Sequence, residues 1–254
     1  MDRFIQKIAK DAGRAVLKRF GKEGVHRTKS HARWDVVTKA DLLSEKIMIS
    51  AIRGTYPHHG IISEESGAIN ESAEYVWILD PIDGTLNYSL GVPAFGVMVC
   101  LVHKGHVLLS AINMPATKEF FFAKAGRGAY LNGKRIHCTK PKRLRTTFGM
   151  HGTTLNPRTT RFLQRVLRFS VRGHILLGSF SGPANACYVA AGRRDWVVSL
   201  SGKIWDFAPV YLLLKEAGCT VTDTKGKPWT MKKLELVAAN PVLHKQLLKL
   251  TKGV

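Results

Sequence analysis

Acidic residues are scarce in this chain. Its 254 residues include 18 Asp and Glu against 39 Lys and Arg, a formal charge of +21 with His counted as neutral. Long apolar runs are also missing, since no stretch approaches the ~18 uninterrupted apolar residues of a membrane span, and we expect no membrane insertion. Apolar residues still make up 45% of the chain, enough to bury a core and to argue against disorder. The charge favours a polyanionic or phosphorylated partner.

Cysteine is also sparse, and its spacing excludes two classes of protein. The four cysteines, Cys100, Cys138, Cys187 and Cys219, are far apart and form no CxxC pair. This argues against a zinc ribbon and against a disulfide framework. The N-terminal twenty residues are charged throughout and lack the apolar centre of a secretory signal. We therefore expect reduced thiols and a cytoplasmic protein.

The few acids are unevenly distributed. Residues 101–200 hold seventeen basic residues and two acids, whereas residues 51–100 hold a single basic residue, Arg53. The six acids of that second segment are Glu64, Glu65, Glu71, Glu74, Asp80 and Asp83. Carboxylates that lie close together repel one another unless a cation or protons offset their charge. The acidic segment is therefore the first place to look for chemistry.

Hydrophobic periodicity and turn signals predict an α+β half followed by an α/β half. The predicted helices cover 3–20, 40–54, 160–172, 182–192 and 205–217, and the predicted strands cover 60–62, 75–79, 95–103, 106–112, 128–131, 134–137, 174–177, 196–199 and 219–222. Lys104-Gly105 and Asn132-Gly133 are typical of hairpin turns. Thr38 or Asp41 is expected to cap the second helix. We predict one domain over 1–254 with lobes at about 1–140 and 141–254, joined through the basic stretch 134–145.

The run from Trp77 to Thr85 carries the strongest chemical signal. An apolar strand leads into Asp80, Pro81, Ile82 and Asp83, and the proline is expected to stop the strand and bend the chain. The bend would bring both carboxylates and the Ile82 carbonyl to one side of a turn. Hard oxygen ligands of this kind suit Mg²⁺ or Mn²⁺ better than zinc.

Gly84 and Thr85 follow directly and add an anion-binding element. Glycine lets the backbone approach a ligand closely, and the two N–H groups are suited to a phosphate. Taken alone, the whole run also fits a strand-end turn with solvated acids, because short motifs match often by chance.

Three more segments place polar side chains at the ends of predicted elements. Ser63–Ser66 follows an apolar strand, and Trp205–Ala208 and Thr38–Asp41 begin predicted helices. A surface Glu pair and two N-caps are the simple interpretations of these segments when each is considered separately.

Together these segments resemble the inositol monophosphatase family of metal-dependent sugar and polyol phosphatases. The matching blocks, in order, are Asp35–Asp41, Ser63–Ser66, Trp77–Asn87, Gly178–Gly192, Trp205–Ala208 and Glu216–Gly218. Each block is modest evidence, but their joint order and spacing are highly specific. The resemblance implies a layered αβαβα sandwich and a lithium-sensitive, Mg²⁺-dependent phosphomonoesterase.

The resemblance also implies a set of metal ligands. Glu64, Asp80 and the Ile82 carbonyl would hold one Mg²⁺. Asp80, Asp83 and Asp206 would hold a second, with Asp80 bridging the two. Glu64 would also position a third, more weakly bound ion, and Mn²⁺ is an alternative metal.

The remaining implied roles concern substrate and water. Gly84 and Thr85 would bind the phosphate, and Asp206 would contact the substrate alcohol. Thr85 paired with Asp41, together with Glu64, would orient the attacking water.

Ser199 stands where the inositol-specific members carry a glutamate that binds sugar hydroxyls. Serine is shorter and uncharged, so the ester stays open among inositol 1-phosphate, fructose 1,6-bisphosphate, histidinol phosphate and a 3′-phosphoadenosine nucleotide. The family often forms homodimers, which we expect here.

The basic surface supports a second hypothesis of a different class. Arg161, Arg165, Arg168 and Arg172 recur at the spacing of one helix face, and residues 134–145 hold six more cations. A solvated face is the simple interpretation. The alternative is a nucleic-acid-binding protein on a phosphatase scaffold, whose affinity would fall with salt.

Overall fold

The protein is represented by a computed structural model that describes residues 1–22, 24–32, 34–152, 155–170 and 174–254, apart from the Pro183 side chain. In chain order its elements are α1 (Asp2–Arg19), β1 (Arg27–Thr28), β2 (Val36–Val37), α2 (Lys39–Thr55), β3 (Gly60–Ser63), β4 (Gly67–Ile69), β5 (Tyr75–Asp83), α3 (Thr85–Ser89), β6 (Gly96–His103), β7 (His106–Met114), a 3₁₀ turn (Pro115–Thr117), β8 (Glu119–Lys124), β9 (Gly128–Leu131), β10 (Lys134–Ile136), β11 (Phe148–His151), α4 (Pro157–Ser170), β12 (Leu176–Gly178), α5 (Gly182–Ala190), β13 (Trp196–Ser199), α6 (Ile204–Glu216), β14 (Thr220–Thr222), β15 (Leu236–Ala239) and α7 (Pro241–Thr251).

Two large sheets organise the chain. The first has eight strands in the order β10-β9-β8-β7-β6-β5-β3-β4, and it is antiparallel except for the β3–β5 pair. The second has five strands in the order β12-β11-β13-β15-β14, with β11 parallel to both of its neighbours. The first sheet uses residues 60–136 and the second uses 148–239. The division into two lobes stays a prediction, because α6 packs against strands of both sheets.

The buried side chains sort into three cores that define five layers. Along β5, Trp77 and Leu79 pack with α1 and α2, whereas Val76 and Ile78 face the core that holds α5 and α6. This alternation is the period of two expected of a strand buried on both faces. On the second sheet, Val197 faces α5 and α6, and Val198 faces α4 and α7. The layers are therefore helix, sheet, helix, sheet, helix, which confirms the predicted αβαβα sandwich.

Local signals in the sequence account for several element ends. Thr38 is the N-cap of α2, and Asp41 at the third helical position closes a capping box with it. The two predicted hairpin turns also form. Lys104 and Gly105 have φ of 48° and 79°, and Asn132 and Gly133 have φ of 49° and 80°. Two successive residues with positive φ match the right-handed twist of the strands that they join.

The prediction that Pro81 ends its strand was wrong. The strand β5 continues to Asp83, and Asp80 pairs with Met98 while Asp83 pairs with Gly96. Three residues of β5 thus advance against two of β6, which is a bulge. Proline has no N–H to donate, and a bulge within the strand accommodates it without ending the pairing.

Among the described residues, every helix is too short or too polar to span a lipid bilayer.

Candidate active site

Three aspartates from two elements meet at the end of β5. Asp80 and Asp83 flank the bulge, and Asp206 lies in the first turn of α6. Each supplies a carboxylate oxygen, and the three oxygens lie within 4.8 Å of one another. Asp206 also accepts a hydrogen bond from the Lys203 backbone N–H at 2.5 Å, so it closes the helix start as well as joining the cluster. The bulge matters because it places two carboxylates of one strand on the same side.

Burial leaves one carboxylate oxygen of the cluster without a partner. Asp80 is buried, and its Oδ1 has no hydrogen-bond partner among the described residues. Burial, then the charges of Glu64, Asp83 and Asp206, raise the pKa of Asp80 well above its ordinary value. Burial and Asp206 raise the pKa of Asp83 in the same way, and burial raises the pKa of Asp206 to about 6. A buried unpaired oxygen beside two more carboxylates fits a hard divalent cation such as Mg²⁺ or Mn²⁺.

The raised pKa values predict that the metal-free protein loses stability as pH rises. A folded pKa of about 6 for Asp206 exceeds the unfolded value of 3.8, so the native state binds more protons. This contribution is fully present below about pH 4 and is lost as pH rises through about 6. We therefore expect the melting temperature of wild type, relative to Asp206→Asn, to fall between pH 5 and pH 8 in EDTA. Thermal unfolding of the two proteins at matched pH measures the difference between their melting temperatures. A difference that stays constant from pH 5 to pH 8 would contradict the prediction.

Glu64 lies beside the aspartates but is engaged by a lysine. It influences the pKa of Asp80 through its charge and through a hydrogen bond. Its Oε1 is also 2.7 Å from Lys29 Nζ, which lies 2.5 Å from Glu65 Oε1. Burial lowers the pKa of Lys29, but the two glutamates outweigh it and the net shift is upward. Lys29 did not stand out in the sequence, because it is one cation among many in a basic chain.

A buried glutamate on α2 shapes the turn that carries Glu64. Glu45 accepts hydrogen bonds from the hydroxyls of Ser63 and Ser66, and from the backbone N–H groups of Glu65 (3.2 Å) and Ser66 (3.0 Å). The turn after β3 is therefore held by one side chain on α2. The sequence offered no signal for this, since Glu45 looks like an ordinary polar residue of an amphipathic helix.

Replacing Glu45 by Ala is expected to destabilise the protein by about 3 kcal/mol, because four donors lose their acceptor. For a chain of this size the melting temperature should fall by roughly 6–12 °C. Glu71 is an exposed glutamate that follows the turn in the sequence. The variant Glu71→Ala is therefore the control, and its melting temperature should change little. Equal melting temperatures for the two variants would show that Glu45 does not hold the turn.

Thr85 and Asp41 form a second polar group next to the aspartates. The Thr85 hydroxyl is 3.1 Å from Asp41 Oδ1 and 2.7 Å from the Ile82 carbonyl. Asp41 also accepts from the Thr38 N–H at 2.8 Å and the Thr38 hydroxyl at 2.6 Å. Burial raises the pKa of Asp41 to about 6 although these hydrogen bonds act against it. A hydroxyl has one hydrogen, so Thr85 donates to Asp41 or to Ile82, but not to both at once.

Gly84 occupies a position of the site that requires glycine. Its φ is +82°, and a Cβ added there would lie 2.8 Å from the Ala94 carbonyl oxygen and 3.1 Å from Ser181 Cβ. Asn87 fixes this corner because its Nδ2 donates to the carbonyls of Ala94 (2.9 Å) and Phe180 (3.1 Å). The predicted phosphate-binding residues therefore lie between the end of β5 and the loop that precedes α5.

Ser199 lies at the end of β13, in the segment that leads to Asp206. Its hydroxyl is 3.3 Å from the Ser201 carbonyl oxygen, to which it donates. A Cβ on Gly202 in the same segment would lie 2.7 Å from Asp206 Oδ2. The Ser199 hydroxyl is thus directed at the local backbone, and its role toward the substrate stays a prediction.

The layered αβαβα sandwich and the carboxylate cluster at the end of β5 are consistent with a family of phosphatases. The chain belongs to the inositol monophosphatase family, whose model matches residues 1–254. It is 34% identical over 220 residues to a Thermotoga maritima protein named fructose-1,6-bisphosphatase/inositol-1-monophosphatase, covering 87% of this chain and 84% of that one. It is 33% identical over 250 residues to a putative Nus factor SuhB of Neisseria meningitidis serogroup B, covering 96% and 95%. The crystal structure of the extragenic suppressor protein SuhB from Bartonella henselae superimposes with a TM-score of 0.91 at 30% identity, covering 99% of this chain and 98% of that one.

Proposed function

We propose that this protein is a Mg²⁺-dependent phosphomonoesterase that hydrolyses a small polyol or sugar phosphate to the alcohol and inorganic phosphate. The observation that carries the proposal is the group of Asp80, Asp83 and Asp206, whose buried Asp80 oxygen has no donor among the described residues. Membership of a phosphatase family supports the same conclusion.

The aspartate cluster and the family resemblance support the following metal ligands. Asp80, Asp83 and Asp206 would hold one Mg²⁺, and Asp80, Glu64 and the Ile82 carbonyl a second. When bound, such ions neutralise the charge of a phosphate ester and lower the pKa of water. To bind the cation, the Glu64 carboxylate has to release Lys29. The Ile82 carbonyl can bind the cation when the Thr85 hydroxyl donates to Asp41 instead of to Ile82.

Thr85 and Asp41 would position the attacking water. With a pKa of about 6, Asp41 is mostly ionised at pH 7 and accepts the hydrogen of the Thr85 hydroxyl. The Thr85 oxygen then offers only lone pairs, and it accepts a hydrogen from water and holds it in one orientation. The N–H groups of Gly84 and Thr85 would hold the phosphate that the water attacks.

The ester itself is best identified by assay. Inositol 1-phosphate is the first candidate, with fructose 1,6-bisphosphate, histidinol phosphate and a 3′-phosphoadenosine nucleotide as alternatives. Serine at position 199 removes a negative charge from the sugar side of the pocket, which supports a broad or non-inositol specificity. Phosphate release from these four esters, with Mg²⁺ and with added Li⁺, tests the proposal. No release from any ester with either Mg²⁺ or Mn²⁺ would overturn it.

As a second role we propose association with nucleic acid. It is supported by the +21 charge, which is far larger than a small phosphate ester requires, and by similarity to a relative named as a putative Nus factor. The two roles use different parts of the molecule and are tested separately.

A further inference from the structure

The outermost helical layer, beyond the second sheet, is strongly cationic. Between Glu119 and Asp195 the sequence contains no acidic residue, and none follows Glu235. The helices α4 and α7 come from these two acid-free segments. Together with residues 140–145 they form what we call the cationic outer layer. Apart from Arg158 of α4, which pairs with Glu235, its cations are Lys140, Lys142, Arg143, Arg145, Arg161, Arg165, Arg168, Lys245, Lys249 and Lys252.

Specific contacts make these three pieces one surface. Gln246 of α7 donates to the Lys142 carbonyl at 2.9 Å and accepts from the Leu144 N–H at 3.0 Å. Arg165 of α4 donates to the Leu250 carbonyl at 3.1 Å. The Arg145 guanidinium lies 5.6 Å from the centre of the Phe169 ring at the end of α4. Lines of positive charge on α4, α7 and the 140–145 segment are therefore held at fixed separations.

The charge of these ten cations is not offset by carboxylates among the described residues. Nine of the ten cations are exposed and Arg165 is half-buried. In the part of the chain that the structure describes, none of the ten forms an ion pair with a carboxylate. Arg172, the fourth member of the arginine series in the sequence, lies outside the described residues.

This layer is also separate from the candidate active site. The helix α6, which carries Asp206, packs on one face of the second sheet, and α4 and α7 pack on the other. Attraction of a small phosphate ester to the carboxylate site does not account for ten cations on the far face of that sheet.

We infer that the cationic outer layer binds the phosphate backbone of a nucleic-acid duplex, through phosphate contacts and without reading bases. This deepens the second role proposed above and does not depend on the phosphatase. The helix α4 has 14 residues and is about 21 Å long, and a duplex presents roughly one charge per 1.7 Å. Five of the ten cations are arginines, whose planar donors match phosphate oxygens.

Two other polyanions fit the layer less well. A membrane-surface helix needs its apolar face outward, but Phe162 and Val166 of α4 are buried against the sheet. Single strands are usually held by exposed aromatic side chains, and Phe162 is buried while Phe169 lies under Arg145.

The test compares two charge-reversal variants with the same change in net charge. One carries Arg161→Glu, Lys245→Glu and Lys249→Glu in the cationic outer layer. The matched control carries Arg3→Glu, Lys18→Glu and Lys46→Glu, three exposed cations of α1 and α2 at the opposite end of the sandwich. Fluorescence anisotropy with 20-base-pair DNA and RNA duplexes at 50–200 mM KCl gives the affinities. Vesicles of phosphatidylglycerol provide the alternative polyanion.

We expect wild type to bind both duplexes with a steep salt dependence, and the outer-layer variant to lose roughly 100-fold in affinity at 0.1 M salt with a shallower slope. The control should lose only a few-fold, and both variants should keep the melting temperature and phosphatase activity of wild type. Equal losses in the two variants would overturn the assignment to this layer but keep the nucleic-acid role. Absence of duplex binding at 50 mM KCl, or binding to vesicles alone, would overturn both and leave the phosphatase proposal untouched.

Discussion

Replacing Asp83 by Asn is expected to reduce phosphate release by at least about 10³-fold while the protein stays folded. Asparagine has nearly the same shape but removes one of the three carboxylate charges that meet within 4.8 Å. A loss of that size corresponds to about 4 kcal/mol of transition-state stabilisation, which is the scale of removing one preorganised electrostatic contact. Steady-state phosphate release at saturating Mg²⁺, with the ester that wild type prefers, measures it.

The control for this variant is Asp11→Asn, which makes the same chemical change on α1. Asp11 pairs with Lys7 and Arg14 at the surface, where such ion pairs contribute little, so activity and stability should be close to wild type. Unfolding of Asp83→Asn is not expected, because its carboxyl pKa is already raised by burial and by Asp206. If the folded variant released phosphate at the rate of wild type, Asp83 would not be a metal ligand.

The proximity of Asp80 and Asp83 was predictable because both lie in one short segment of the chain. Asp80 and Asp83 are three residues apart, and their convergence required only that Pro81 disturb the strand. The nature of the disturbance was not predictable, because ending a strand and bulging within it both remove the proline from the ladder. The strand bulges and does not end because its pairing with β6 resumes where Asp83 meets Gly96.

Residues that act across the fold were harder to find. Glu45 and Lys29 reach the Ser63–Ser66 turn from distant segments. Glu45 is 18 residues from its partner Ser63, and Lys29 is 35 residues from its partner Glu64. Neither residue belongs to a local motif, so their partners become visible only in the fold, where α2 brings Glu45 and the segment after β1 brings Lys29 to the turn. The resemblance, by contrast, linked Asp206 to the cluster because it carried information on the whole chain.

The sequence left several elements of the fold unpredicted, and the reasons differ. These are β1, β2, β4, β8, β11, β15, α3, α7 and the 3₁₀ turn. The strand β15 is buried on both faces and only four residues long, and α3 is a single turn, so neither shows a period. The helix α7 begins at Pro241 behind Asn240, which caps the Val242 and Leu243 N–H groups, a start signal that the sequence did contain.

Replacing Asp80 by Asn is expected to raise the melting temperature of the metal-free protein and to abolish its response to Mg²⁺. In wild type without metal, the Asp80 carboxyl is buried and repelled by Glu64, Asp83 and Asp206, and its Oδ1 finds no donor among the described residues. Removing a buried charge that lacks a partner stabilises a protein of this kind by about 2 kcal/mol, or roughly 4–8 °C. The ordinary expectation for a buried substitution is the opposite sign, so the direction alone is informative.

Mg²⁺ separates this explanation from a simple repacking of the core. A ligand that binds only the native state stabilises it by about 2.7 kcal/mol at 100 times its dissociation constant, so wild type should melt at a higher temperature in Mg²⁺ than in EDTA. The Asp80→Asn variant should show little difference between the two buffers, and its phosphate release should fall with that of Asp83→Asn. Thermal unfolding followed by circular dichroism at pH 7.5 gives both quantities. A variant that melts below wild type in EDTA, yet keeps the full Mg²⁺ shift, would mean that Asp80 supports the bulge and holds no ion. In the outcome expected here, the Asp80 carboxylate lowers the stability of the metal-free protein and is required to bind the cation. The carboxylates of this basic chain that meet at the site then serve metal binding and not folding.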